Sequence, residues 1–197
     1  LDVITRSVCI RNVGEEPVYL TKVLSLCLDM DDREYSLLTL HGSWARERQI
    51  QSRKLGYGRQ GVFSERGESS HQEHPFLALT TPNISQTAGE VYGFHFVYSG
   101  NFHGQCSVDQ FDSVRTVLGI NPYNFTWKLE KDSSFQAPEV VMVYSCEGLG
   151  HMTRTFHDLY RCHLIRSPWK NRKRPILINN WEATYFDFNT EKLLSIA

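Results

Sequence analysis

Trp181 is the side chain with the clearest capacity to hold a ligand. It sits in residues 174–188, RPILINNWEATYFDF, where the apolar run Pro175-Ile176-Leu177-Ile178 meets Asn179, Asn180, Trp181 and Glu182. An uninterrupted run of this kind predicts a strand buried on both faces, as in parallel sheets. An indole at the C-terminal end of such a strand would face the mouth of a (β/α) barrel, where active sites lie. There it would offer a flat apolar platform to the C–H face of a sugar ring. An aromatic packed beneath the first loop accounts for the same residue type equally well. After Tyr185-Phe186-Asp187-Phe188, Asn189 or Thr190 is placed to cap a helix reading Glu-Lys-Leu-Leu-Ser-Ile-Ala. Strand, loop and helix make one βα unit, which cannot bury itself and reads as the first piece of a larger domain.

The remaining candidates carry less chemistry. Of eight histidines, His71 and His74 fall in a loop-like stretch without an HExxH context, and His151, His157 and His163 are six apart, off any common helix face. No metal site and no cofactor is expected from that spacing. Glu15-Glu16 and Asp31-Asp32 are adjacent acids in turn-like segments. General acid–base work needs two carboxyls converging across a cleft, so these read as solvent-facing. The basic run 170–174 reads as a solvated linker rather than a phosphate site. Arg66, His71, Asn101 and Asn121 lie in polar turns near Gly or Pro, where loop architecture and ligand binding are both open.

The elements that must position Trp181 begin with the composition. The chain has 197 residues, 41% hydrophobic and 22% charged, with a formal net charge of -1. That is an ordinary globular composition, with no charge excess to draw nucleic acid or an anionic membrane. Eleven Phe, nine Tyr and four Trp favour β structure and are common in sugar-binding proteins. The five cysteines, Cys9, Cys27, Cys106, Cys146 and Cys162, never form a CxxC pair and read as free thiols in a reducing compartment. Asn83-Ile84-Ser85 and Asn124-Phe125-Thr126 match the glycosylation sequon, which matters only in a secreted eukaryotic chain. No signal peptide and no membrane-length apolar stretch is visible, so a cytoplasmic location is expected. Leu1 is not an initiator, and Asp2-Val3-Ile4 already reads as mid-strand, so the chain is expected to be a piece cut at both ends.

Residues 1–147 read as strands separated by turns. The candidates are 7–13, 18–28, 33–41, 90–98, 106–111, 114–118, 125–129 and 140–144, with a glycine-bearing loop or hairpin at 56–61. Such spacing implies an antiparallel sandwich or barrel rather than βαβ units. The period then changes: Met152, Phe156, Leu159, Tyr160 and Leu164 recur on one helical face, predicting an amphipathic helix over about 150–165. A basic, proline-bounded linker follows, so 148–173 is expected to connect the sandwich to a separate unit at 174–197.

At these residues the sequence resembles a known family. The strings RGESSHQEHPF (66–76), GEVYGFHFVYSGNF (89–102), GINP (119–122), PEVVMVYSCEGLGHMT (138–153) and RPILINNWEATYFDF (174–188), with HGSWARER (41–48), resemble bacterial and fungal α-galactosidases of glycoside hydrolase family 36. The resemblance runs from about Thr5 to the end. It implies a mainly β fold: an antiparallel β-supersandwich, a linker helix, and the first βα unit of a (β/α)8 barrel. It implies a retaining exo-glycosidase removing terminal α-linked galactose from melibiose or raffinose, whose two catalytic aspartates lie beyond Ala197. No catalytic residue is therefore expected in this chain, and Trp181 alone carries over as a substrate-binding residue. α-Galactoside oligosaccharides are the implied partners, and a homotetramer the implied assembly. His74, where Asn commonly precedes Pro-Phe, and Cys106 depart from the family pattern. Two further readings stand beside this one: a non-catalytic carbohydrate-binding or subunit-assembly module, and a member with N-acetylgalactosamine or galactosyl-transfer preference.

Overall fold

A computed structural model describes residues 2–197 and divides into two compact units, one ending at Leu159 and one running from Tyr160 to Ala197. Leu1, the first residue of the expected sandwich segment, lies outside the described residues. The first unit holds β1 (Ile4–Arg6), β2 (Cys9–Arg11), β3 (Val18–Leu20), β4 (Leu24–Asp31), β5 (Ser36–Ser43), β6 (Arg46–Lys54) and β7 (Gly58–Phe63). It continues with β8 (Glu73–Thr80), β9 (Val91–Phe96), β10 (Phe102–Val108), β11 (Ser113–Ile120), β12 (Trp127–Leu129), β13 (Ser134–Gln136), β14 (Val140–Ser145) and α1 (Gly148–Leu159). One six-stranded sheet runs β1-β14-β9-β8-β5-β6 and a three-stranded sheet runs β10-β11-β4, while β12-β3 and β13-β2 pair as ribbons. The ladders within these sheets are antiparallel. The fold is thus the mainly β, antiparallel architecture expected of the sandwich.

Side-chain alternation explains where the core sits. In β10, Phe102, Gly104, Cys106 and Val108 are buried and the residues between them are not, the period of a strand with one face on the core. They meet Val114 and Leu118 of β11, and across the interior Leu37, Leu77, Leu79, Phe94 and Phe96 of the six-stranded sheet. The opposite face of that sheet is covered by α1. There Ala78 pairs with Gly93 and Phe76 with His95, so small residues lie beside larger ones. A Cβ on Gly93 would fall 2.6 Å from Met152 Sδ and 2.8 Å from Phe156 Cε2, so the bare backbone is what lets α1 dock. Phe156 completes the contact edge-on to Phe76, with centroids 6.0 Å apart.

The start of α1 is fixed by the loop before β9. Gly148 has φ +77, and its N–H donates to Gly89 O at 3.0 Å, while the N–H groups of Leu149 and Gly150 donate to Ser85 O and Gln86 O. These bonds satisfy helix N-terminal donors that would otherwise be orphaned. Of the helix expected over about 150–165, residues up to Leu159 are α-helical and the last turn differs in type. From Tyr160 to Leu164 the second unit begins as a π-turn, with Ile165 N–H donating to Tyr160 O at 2.9 Å. Leu164 and Ile165 are exposed, so no apolar packing holds them in α-helical register. The glycine-bearing stretch 56–61, expected as a loop or hairpin, is largely strand β7, which lies beside β10 and β8.

The second unit contains a 3₁₀ turn, Pro168–Lys170, and two short helices, α2 (Trp181–Thr184) and α3 (Thr190–Ile196). The strand expected over 175–178 does not form in this chain. Ile176 is 98% and Leu177 89% exposed, and residues 173–180 carry no regular structure. A parallel strand is held by hydrogen bonds from neighbouring strands. Among the described residues no strand runs beside this segment.

Candidate functional site

Trp181 opens a single helical turn rather than a loop at the end of a strand. Asn179 Oδ1 accepts from Trp181 N–H at 3.0 Å, turning the chain out of the extended run. Asn180 O then accepts from Ala183 and Thr184 N–H, and Tyr185 N–H donates to Trp181 O at 2.8 Å. The turn is stitched from the side as well. Thr184, which is buried, donates its hydroxyl to Asn180 O at 3.0 Å and accepts from Asn180 Nδ2 at 2.7 Å. These bonds explain why a polar pair, Asn179-Asn180, precedes the aromatic residue: both side chains are consumed in building the turn that presents it.

The turn closes on a strained residue. Tyr185 has φ 48 and ψ -120, a conformation that costs a non-glycine residue about 1–3 kcal/mol. Tyr185 and Phe186 both come to rest against the indole, at centroid distances of 5.3 and 5.0 Å and interplanar angles of 70° and 88°. Trp181 remains 45% exposed. Beyond it, Asn189 caps α3, its Oδ1 accepting from Lys192 N–H at 2.9 Å, while Lys192 Nζ pairs with Asp187 Oδ2 at 3.2 Å. Of the two cap residues expected, Asn189 fills the role. The contact of Tyr185 and Phe186 with Trp181 was missed from sequence, although the four-residue spacing of Trp181 and Tyr185 is a helical-neighbour signal.

Most of the other sequence candidates lie in the first unit, where their side chains hold loops. Asn121 is buried and donates to Ser64 O at 3.0 Å, Asn101 Oδ1 accepts from Gly67 N–H at 2.6 Å, and Arg66 donates to Gln72 Oε1 at 2.8 Å. His71 is exposed. Glu15 pairs with Lys131 at 2.5 Å, and Asp32 accepts from Tyr35 N–H. In the basic linker, Lys170 donates to Cys162 O at 2.9 Å. Among the described residues, no three His, Cys, Asp or Glu side chains gather as metal ligands would.

The histidines matter electrostatically instead. His95 lies on the face covered by α1, 6.4 Å from the Phe156 ring, and burial, with His74 nearby, pushes its imidazole down to about 4. His74 is also held below the usual range, chiefly by burial and then by Arg48, His41 and His71. Its Nε2 is buried without a hydrogen-bond partner among the described residues.

Comparison with known proteins places this arrangement. The profile of the glycosyl hydrolase family 36 N-terminal domain matches residues 1–130, and the Melibiase profile matches residues 134–197. The chain belongs to glycosyl hydrolase family 36. It is 54% identical over 196 residues to alpha-galactosidase AgaA of Geobacillus stearothermophilus, a match covering 100% of this chain and 27% of that protein. It is 48% identical over 194 residues to alpha-galactosidase Mel36A of Lactobacillus acidophilus, covering 98% of this chain and 26% of that one. The crystal structure of AgaA superposes with a TM-score of 0.93 at 53% identity, covering 99% of this chain and 27% of that chain. The galactosidase domain of the alpha-galactosidase–sucrose kinase AgaSK gives 0.94 at 40% identity, covering 99% and 27%. The family 36 chain described here therefore spans about a quarter of the length of the relatives it matches.

Proposed function

We propose that this chain is the β-sandwich and barrel-opening part of a retaining α-galactosidase acting on raffinose- and melibiose-type oligosaccharides. The observation that carries this reading is the 54% identity to AgaA along 100% of the chain. A structure of an AgaA variant in complex with raffinose, 53% identical to this chain, supports the substrate class. In this reading residues 174–197 open the catalytic barrel, residues 148–173 link it to the sandwich, and Trp181 forms part of the wall against which the galactose ring rests. Retention requires two carboxyls about 5 Å apart. One attacks the anomeric carbon to form a glycosyl–enzyme while the other protonates the departing oxygen. The second then takes a proton from the water that releases galactose. Both carboxylates belong to parts of the barrel outside these residues. The exposed free thiols Cys9, Cys27, Cys146 and Cys162 favour a reducing, cytoplasmic setting, and we place the whole enzyme there as a homotetramer.

The test is raffinose hydrolysis by the full-length protein and its Trp181→Ala variant. The parent releases galactose, and the variant raises KM for raffinose roughly tenfold. Absence of galactose release, with saturable heat when raffinose is titrated into the 197-residue chain, would support a non-catalytic carbohydrate-binding module instead.

A further inference from the structure

We infer that Phe186, returned to the indole by the left-handed backbone of Tyr185, is a positioning residue that sets the orientation of Trp181 before a sugar arrives. The inference rests on Trp181 being the sugar-facing residue proposed above. Had α2 continued past Thr184, Tyr185 would lie four residues from Trp181 and on its face, whereas Phe186, five residues on, would point away. The chain instead turns at Tyr185, φ 48 and ψ -120, where no glycine relieves the strain. The consequence is specific: the Phe186 ring meets the indole at 5.0 Å and 88°. Phe186 itself stays 86% exposed.

Two rings meeting the indole at steep angles, one from i+4 and one from i+5, restrict its rotation about the Cβ–Cγ bond. Tyr185 N–H on Trp181 O fixes the backbone beneath it. An indole held in one rotamer loses less freedom when a sugar stacks on it, and that lowers the cost of binding without changing the chemical step.

Raffinose kinetics of the full-length enzyme test this. Phe186→Ala raises KM roughly two- to tenfold with kcat within about twofold, the size of a lost aromatic pair. Phe186→Tyr, which keeps the ring, retains the parent KM. Tyr185→Pro, which cannot adopt positive φ and also loses the Tyr185 ring and its N–H, raises KM at least as far as Phe186→Ala does, and adding Phe186→Ala to it changes KM no further. A parent-like KM for Phe186→Ala, alongside a raised KM for Trp181→Ala, would overturn the positioning role alone. A parent-like KM for Trp181→Ala would overturn the sugar-facing reading on which it rests. A fall in kcat at constant KM in Phe186→Ala would mark a merely structural ring and also overturn the inference.

Discussion

The two units of this chain treat apolar residues in opposite ways. In the first, Leu37, Leu77, Leu79 and Phe96 are fully buried because each strand finds a hydrogen-bonded neighbour and a facing sheet within the same unit. In the second, Ile176 and Leu177 are almost wholly exposed although their sequence is as apolar as that of a core strand. The difference lies in partners, not composition. A strand with two apolar faces becomes a strand only beside others of its sheet, whereas the turn around Trp181 forms from bonds between residues a few positions apart. The local part of the candidate site is therefore preformed here, and the sheet that would carry it is not.

That contrast is open to direct attack. Phe96→Ala removes a fully buried ring and is expected to cost about 3–5 kcal/mol in denaturant unfolding of the chain, while Leu177→Ala costs less than about 0.5 kcal/mol. Comparable losses at the two positions would mean that the second unit has found a core. The next effect is pH-dependent. His95 titrates near 4 when folded and near its ordinary 6.5 when unfolded, so the folded state binds fewer protons between those values. Stability is then full above pH 6.5 and falls as the pH drops through that window, by up to roughly 1.4 kcal/mol per pH unit from this residue. His74, shifted in the same direction by burial, adds to the fall. His95→Asn should flatten the profile measured by thermal melts, and an unchanged slope would remove His95 as its source. Smaller again is Gly93→Val, whose side chain would collide with Met152 and Phe156 and loosen α1 at a cost of about 1–3 kcal/mol. Gly56→Ala, with open space around it, is the control and should leave the melting temperature in place. Equal effects at Gly56 and Gly93 would show that α1 does not depend on the bare backbone of β9.

Much of the first unit was legible because its strands carry period-two or continuous apolar runs, as Val91–Phe96 and Val140–Ser145 do. Arg46–Lys54 gives no strand signal in sequence because every one of its nine residues is exposed. It is an edge strand defined by pairing with β5 and carries no apolar alternation to betray it. The glycines of 56–61 signal a turn locally, and only the neighbouring β10 makes most of that stretch a strand. In the second unit the cap at Asn189 was legible from residue type alone. The turn at Tyr185 was not, since nothing in a tyrosine announces positive φ, and that single dihedral decides which rings surround Trp181. Residue types thus pointed to Trp181, while the backbone that arranges its neighbours had to be seen.

Galactose release from raffinose, measured side by side for the full-length protein and for the 197-residue chain alone, tests most directly whether this chain scaffolds a glycosidase whose acids lie elsewhere. The expected result is steady release by the full-length protein and none by the chain. Hydrolysis by the isolated chain, or a full-length protein that leaves raffinose intact, would contradict it.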